Sequence, residues 1–184
     1  MFFIKELQHL ILLHPSYFGP LTSTYLTAKL HSDVEGTCSG QYGYIISVVA
    51  ITDVGSGTIQ PGTGMAEFLV KYQAIVFKPF KGEVVDGVVS TVTKMGVFVD
   101  VGPLQVFVSS HLIPPTFKFD PNANPPCFQS EPSDEGEEKI EPTSKVRMKL
   151  VGTRIDATEI FAVGTMKEDY LGPIPDMDVR VDLL

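Results

Sequence analysis

The chain has 184 residues, 43% of them apolar and 20% charged, which suits one medium or two small globular domains and excludes an intrinsically disordered chain. With 14 Lys and Arg against 22 Asp and Glu the net charge is −8, which excludes tight nucleic-acid binding by bulk charge alone. Its 2 cysteines, Cys38 and Cys127, are far apart with no Cys or His at ligand spacing, so reduced thiols, no metal site and no cofactor are expected.

Residues 1–13 read as a strand of mixed alternation ending at His14-Pro15. Lys5 and Glu6 interrupt its apolar stretch and no small-residue cleavage site follows, which argues against a signal peptide. No run approaches the length that spans a bilayer, so a soluble intracellular protein with no membrane partner is expected. Pro20 opens a helix in which Leu21, Tyr25 and Ala28 share one face and Leu26 and Leu30 lie beside them. It ends near Glu35-Gly36. Three β-rich runs follow, at 42–51, 66–70 and 72–77. A Gly- and Pro-rich loop, 54–64, separates the first two, too polar for a core and too long for a tight hairpin. Residues 1–80, nearly balanced in charge, therefore form an α+β domain of β-α-β-β-β outline with a protruding loop.

A second domain, 81–172, starts at Lys81-Gly82. Strands are expected at 83–92, 97–101, 105–108, 145–151 and 159–163, with Gly-marked turns at 94–96 and 102–103. That spacing is the pattern of an all-β OB barrel. Residues 114–144, rich in Pro, Asn and Glu, read as an insertion with a mobile acidic loop at 131–141, which carries most of the excess negative charge. The tail, 173–184, holds Asp176, Asp178 and Asp182 and is assigned no role.

Strand alternation sorts the side chains of the second domain. Val97, Val99 and Val101 share one face and Phe98 the other; Val106 and Val108 lie opposite Phe107; Val146, Met148 and Leu150 lie opposite Arg147 and Lys149. With the valines inward, Phe98, Phe107, Arg147 and Lys149 face out, and Lys94 and Arg154 add cations in neighbouring turns. Bases stack on exposed rings while cations track phosphates, so these residues are candidates for single-stranded RNA. The bland alternatives stay open: Phe107 packs under the insertion or a partner, and the cations merely solvate the barrel.

The glycine-x-phenylalanine element at Gly96 and Phe98, within Val-Thr-Lys-Met-Gly-Val-Phe-Val-Asp-Val-Gly at 92–102, resembles the S-one type of OB domain, with Met95 and Val108 where that family often has an aromatic and a histidine. A wider set of motifs covers 1–172: Leu-His-Pro-Ser-Tyr-Phe-Gly-Pro at 13–20, Asp-Val-Glu-Gly-Thr-Cys-Ser-Gly at 33–40, Val-Lys-Tyr at 70–72, Val-Phe-Lys-Pro-Phe-Lys-Gly-Glu-Val-Val-Asp at 76–86 and Lys-Glu-Asp-Tyr-Leu-Gly at 167–172. These resemble the stalk subunits of DNA-directed RNA polymerases, the seventh-subunit family of RNA polymerase II above its archaeal, polymerase I and polymerase III counterparts.

The resemblance implies a truncated RNP-like first domain and a non-catalytic subunit in the nucleus, with shuttling to the cytoplasm, active in transcription initiation. It implies a heterodimer with the fourth subunit, docking on the polymerase core near the clamp, and contact with nascent single-stranded RNA. The docking tip falls on Pro15, Tyr17, Phe18 and Gly19 and on Gly57, Ile59, Pro61, Gly62 and Gly64. Rival readings are a nuclease and a free-standing OB-domain RNA-binding factor in translation or decay. Asp86, Asp100 and Asp156 are too scattered for a metal-dependent nuclease. Ser110 and His111, neighbours on an expected strand, would point apart, so no catalytic residue is expected. A free-standing factor would leave the first domain without a task.

Overall fold

The computed structural model describes residues 1–130, 138–156 and 158–175. Most of the acidic loop and the tail beyond Pro175 lie outside the described residues, and with them the expectation of loop mobility. The chain divides into two compact units, one built on Met1–Pro79 and the other beginning at Phe80.

In the first unit, β1 (Phe2–Leu13) leads through a 3-10 turn (Pro15–Tyr17) to helix α1 (Thr22–Val34). Strands β2 (Cys38–Ser39), β3 (Gly43–Val54), β4 (Thr58–Ile59) and β5 (Ala66–Phe77) follow. The sheet is antiparallel in the order β1-β5-β3-β2, with β4 added to β5. β1 and β5 pair along their whole length, from Phe2 opposite Phe77 to Leu13 opposite Ala66. α1 covers one face: Leu26, Leu30 and Val34 are buried with Leu7, Ile11, Leu13, Val48, Val70 and Tyr72. Two expectations are corrected. The buried helix stripe is Leu26-Leu30-Val34, while Leu21 and Tyr25 are exposed. The runs 66–70 and 72–77 are one strand, because Lys71 keeps the ladder, opposite Gln8 and Asp53, and meets the Asp53 carboxylate at 3.5 Å. A lone polar residue at an outward position does not end a strand.

The second unit contains β6 (Val84–Thr93), β7 (Gly96–Val101), β8 (Leu104–Ser109), β9 (Phe117–Asp120), β10 (Cys127–Ser130), β11 (Lys139–Ile140), β12 (Lys145–Ile155), β13 (Ile160–Thr165) and β14 (Gly172–Pro173). Hydrogen bonding in the order β8-β7-β6-β12-β13 returns to β8 through a parallel β13–β8 pair, so five strands close into the OB barrel. The core is Val85, Val89, Val92, Val97, Val99, Val101, Val106, Val108, Val146, Met148 and Leu150, all buried. β14 pairs with Val146 and Arg147, and the Ile174 amide donates to the Lys145 carbonyl, so the chain through residue 174 runs along β12.

The insertion is more ordered than expected, because β9, β10 and β11 form a three-stranded sheet of their own. The reason is a small apolar nucleus: Cys127, Phe128 and Ile140 are buried and the Phe119 and Phe128 rings meet at 5.4 Å. Ser110–Leu112 is a 3-10 turn, so the strand alternation invoked for Ser110 and His111 does not apply there.

Candidate nucleic-acid interface and docking tip

The barrel's outer face is set by register. Phe98 on β7 lies directly opposite Phe107 on β8, and their rings meet at 5.0 Å with a 45° tilt. Both are half-buried, each shielding the other, while the flanking valines are buried. The pair continues sideways to Thr91 on β6 and Val163 on β13. A second outward row runs Asp100, Gln105, Phe161 and Arg154, from β7 across the parallel seam to β12. Phe161 and Val163 are 48% and 42% exposed, so the apolar surface crosses onto β13. Sequence reasoning misses both, although Ile160, Ala162 and Gly164, all buried, alternate with them and carry the signal.

The cations divide into two groups. Lys94 is exposed at the tip of the β6–β7 turn, beside Met95, and Arg154 is exposed opposite Phe161. Arg147 and Lys149 are not beside the rings. Arg147 pairs in register with Asp86, whereas Phe98 pairs with Thr91, five residues further along β6 or roughly 15 Å. Arg147 also makes a two-pronged ion pair, its Nε and Nη2 donating to the Asp86 carboxylate at 2.6 and 2.8 Å. The guanidinium holds the Asp86 carboxyl below the usual aspartate range, with burial opposing it. Lys149 donates to Glu168 at 2.7 Å and so ties the segment before β14 to β12. The sequence grouped four residues on one face; the register leaves the rings with Lys94 and Arg154, and turns Arg147 and Lys149 into ties between strands.

At one end of the first unit, the two tip stretches come together. Pro15 stands against Gly64, where a Cβ on the glycine would sit 3.7 Å from the proline ring. His14 caps the 3-10 turn by accepting from the Ser16 amide, and the Tyr17 ring rests on Tyr25 at 4.9 Å. Pro15, Tyr17, Phe18 and Gly19 are all exposed. The Gly-rich loop is a folded prong: β4 pairs with Glu67 and Ala66, and the Gln60 amide donates to Met65 across the turn. A hydrogen bond from the Gln60 side chain to Glu67 ties it to β5. Gly62 and Gly64 take φ of 95° and 69°, the left-handed backbone that reverses the prong. Gly57, Ile59, Pro61 and Gly62 remain exposed, Ile59 by 64%, and Gly57 lies against the Phe68 ring. A cavity of about 500 Å³ opens beneath, lined by Leu12, Leu13, His14, Tyr17, Tyr25 and Met65 among others.

Residues 8–64 match the family described as "SHS2 domain found in N terminus of Rpb7p/Rpc25p/MJ0397", and residues 78–162 match the S1 RNA binding domain. The chain is 61% identical over 173 residues to the Schizosaccharomyces pombe protein named DNA-directed RNA polymerase II subunit rpb7, covering 93% of this chain and 98% of that protein. It belongs to the RNA polymerase II subunit 7 family. Other relatives of that name are from Glycine max, 49% identical over 96% of this chain and 98% of the relative, and from Saccharomyces cerevisiae, 48% identical over 95% and 100%. Within this subunit 7 chain the fold agrees with the expectation: an SHS2 unit with one helix, then an S1 unit with a closed five-stranded barrel.

Proposed function

We propose that this chain acts within RNA polymerase II as a non-catalytic stalk subunit that pairs with the fourth subunit, docks on the core near the clamp, and lends its barrel face to emerging RNA. A nuclear location follows from membership of that enzyme. The observation that carries the reading is full-length kinship with polymerase II subunits, matched in both units rather than in the S1 domain alone. A free-standing RNA-binding factor would need only the second unit.

The roles divide by surface chemistry. Pro15, Tyr17, Phe18, Gly19, Gly57, Ile59, Pro61, Gly62 and Gly64 form an exposed apolar tip on a rigid prong, which loses little conformational entropy on docking. A wedge that fits one clamp arrangement better than another shifts the population toward it. On the barrel, Phe98 and Phe107 stack on bases while Lys94 and Arg154 meet phosphates, giving weak binding without sequence preference. Affinity purification of the tagged protein from its own cells tests the assignment: the fourth subunit and the polymerase core co-elute. Elution as a lone chain at physiological salt overturns it.

A further inference from the structure

The two rings of the Phe98–Phe107 pair, 5.0 Å apart and tilted by 45°, touch each other too closely for a base to slip between them. They therefore act as one stacking platform. On the barrel's second outward row, Phe161 presents a third ring that is 48% exposed, with Gln105 in register on one side and Arg154 on the other. Its partner Gln105 lies two residues before Phe107 on β8, so Phe161 stands one strand over and one outward position along, about 8 Å from Phe107.

We infer that Phe161 and Arg154 form a second base-and-phosphate station for single-stranded RNA, which the strand reaches after crossing the Phe98–Phe107 platform. This inference rests on the proposed RNA role of the barrel face. Three features favour RNA over a protein as the occupant. The ring is flanked by a cation that, among the described residues, is paired with no carboxylate. The Gln105 amide beside it carries both a donor and an acceptor suited to a base edge. The apolar surface also continues, through Val163 opposite Phe107, into the first platform. Asp100, on the same row and in contact with Gln105 at 3.4 Å, keeps the phosphates away from β7 and toward Arg154. The RNA thus crosses the strands from the Lys94 turn toward the end of β12, with at least two bases stacked.

The test uses the full chain and a fluorescent oligouridylate about twelve nucleotides long, followed by anisotropy across a salt series. Phe161→Ala is expected to weaken binding at least about five-fold, as Phe98→Ala does, while Phe161→Tyr keeps it. Arg154→Gln is expected to lower the slope of log affinity against log salt by about 0.7, the signature of one lost phosphate contact. Loss of binding with Phe98→Ala but none with Phe161→Ala overturns the second station and leaves the RNA role standing. Wild-type protein that fails to bind overturns both. Unchanged RNA binding with weakened assembly onto the fourth subunit would assign Phe161 to a protein interface and also sink the inference.

Discussion

Glu35 closes α1 from outside. Its carboxylate accepts from the Val48 amide at 2.9 Å and the Ser47 hydroxyl at 3.1 Å, and its Oε1 lies 2.8 Å from the His31 ring. The Val48 amide, then the His31 contact, hold the Glu35 carboxyl below the usual glutamate range, against a smaller opposing effect of burial. A folded-state value below the unfolded one means that the charged form is the stabilising one. The contribution is therefore present at neutral pH and disappears as pH falls through the carboxylate range. Asp86, held down by Arg147, acts in the same direction. Glu35→Gln keeps the acceptor but not the charge, and should cost about 1 kcal/mol at neutral pH. Urea midpoints measured from about pH 7 down to about pH 3 should show the gap between variant and wild type narrowing with acidity. A gap that stays constant contradicts this account.

For the elements, the β6–β7–β8 meander is the part whose precision matters most, because it aligns Phe98 with Phe107. Gly96 opens β7 with φ of 152°, and a Cβ there would run into the Val108 carbonyl oxygen on β8. Gly102, in the β7–β8 turn, has φ of 60° but open space around it. Two alanine substitutions therefore separate two causes. Gly102→Ala meets only the left-handed backbone penalty, about 1 kcal/mol. Gly96→Ala adds overpacking against a backbone that cannot yield, about 2–3 kcal/mol in all. Denaturant unfolding of the full chain checks the order; equal losses would mean that the meander relaxes around Gly96. The same logic explains why β5 is continuous although its sequence reads as two runs. Strand continuity is decided by ladder hydrogen bonds on both sides, and β1 and β3 supply them across Lys71.

For the whole molecule, docking and RNA contact are carried by different units, so they should be separable. Replacing residues 57–62 by a short glycine linker removes the exposed face of β4 while leaving β1, β3, β5 and α1 to form the first unit's core. The shortened chain should still co-purify with the fourth subunit but be lost from the polymerase core. Retention on the core at physiological salt would refute the docking role of the prong. Thermal melting of the isolated variant, compared with wild type, shows whether the first unit survives the change. An unchanged melting temperature makes a loss of docking attributable to the missing surface.

Much of this protein is determined locally and is therefore legible in the chain itself. Val97, Val99, Val106 and Val108 could only face inward, because alternation with period two leaves no other assignment once a barrel is granted. Gly62 and Gly64 likewise announce a reversing loop through the backbone angles they alone take easily. What alternation cannot supply is which residues on different strands lie level with one another. That depends on register, shear and barrel closure, set by hydrogen bonds between segments far apart in sequence. Hence Arg147 and Lys149 share a side with Phe98 on paper but sit along β12 against Asp86 and Glu168, while Phe161 is brought beside Phe107 only by the parallel β13–β8 seam. The insertion escapes a local reading for the same reason: its three short strands gain stability only by burying Phe128 and Ile140 together, a contact between residues no local pattern connects.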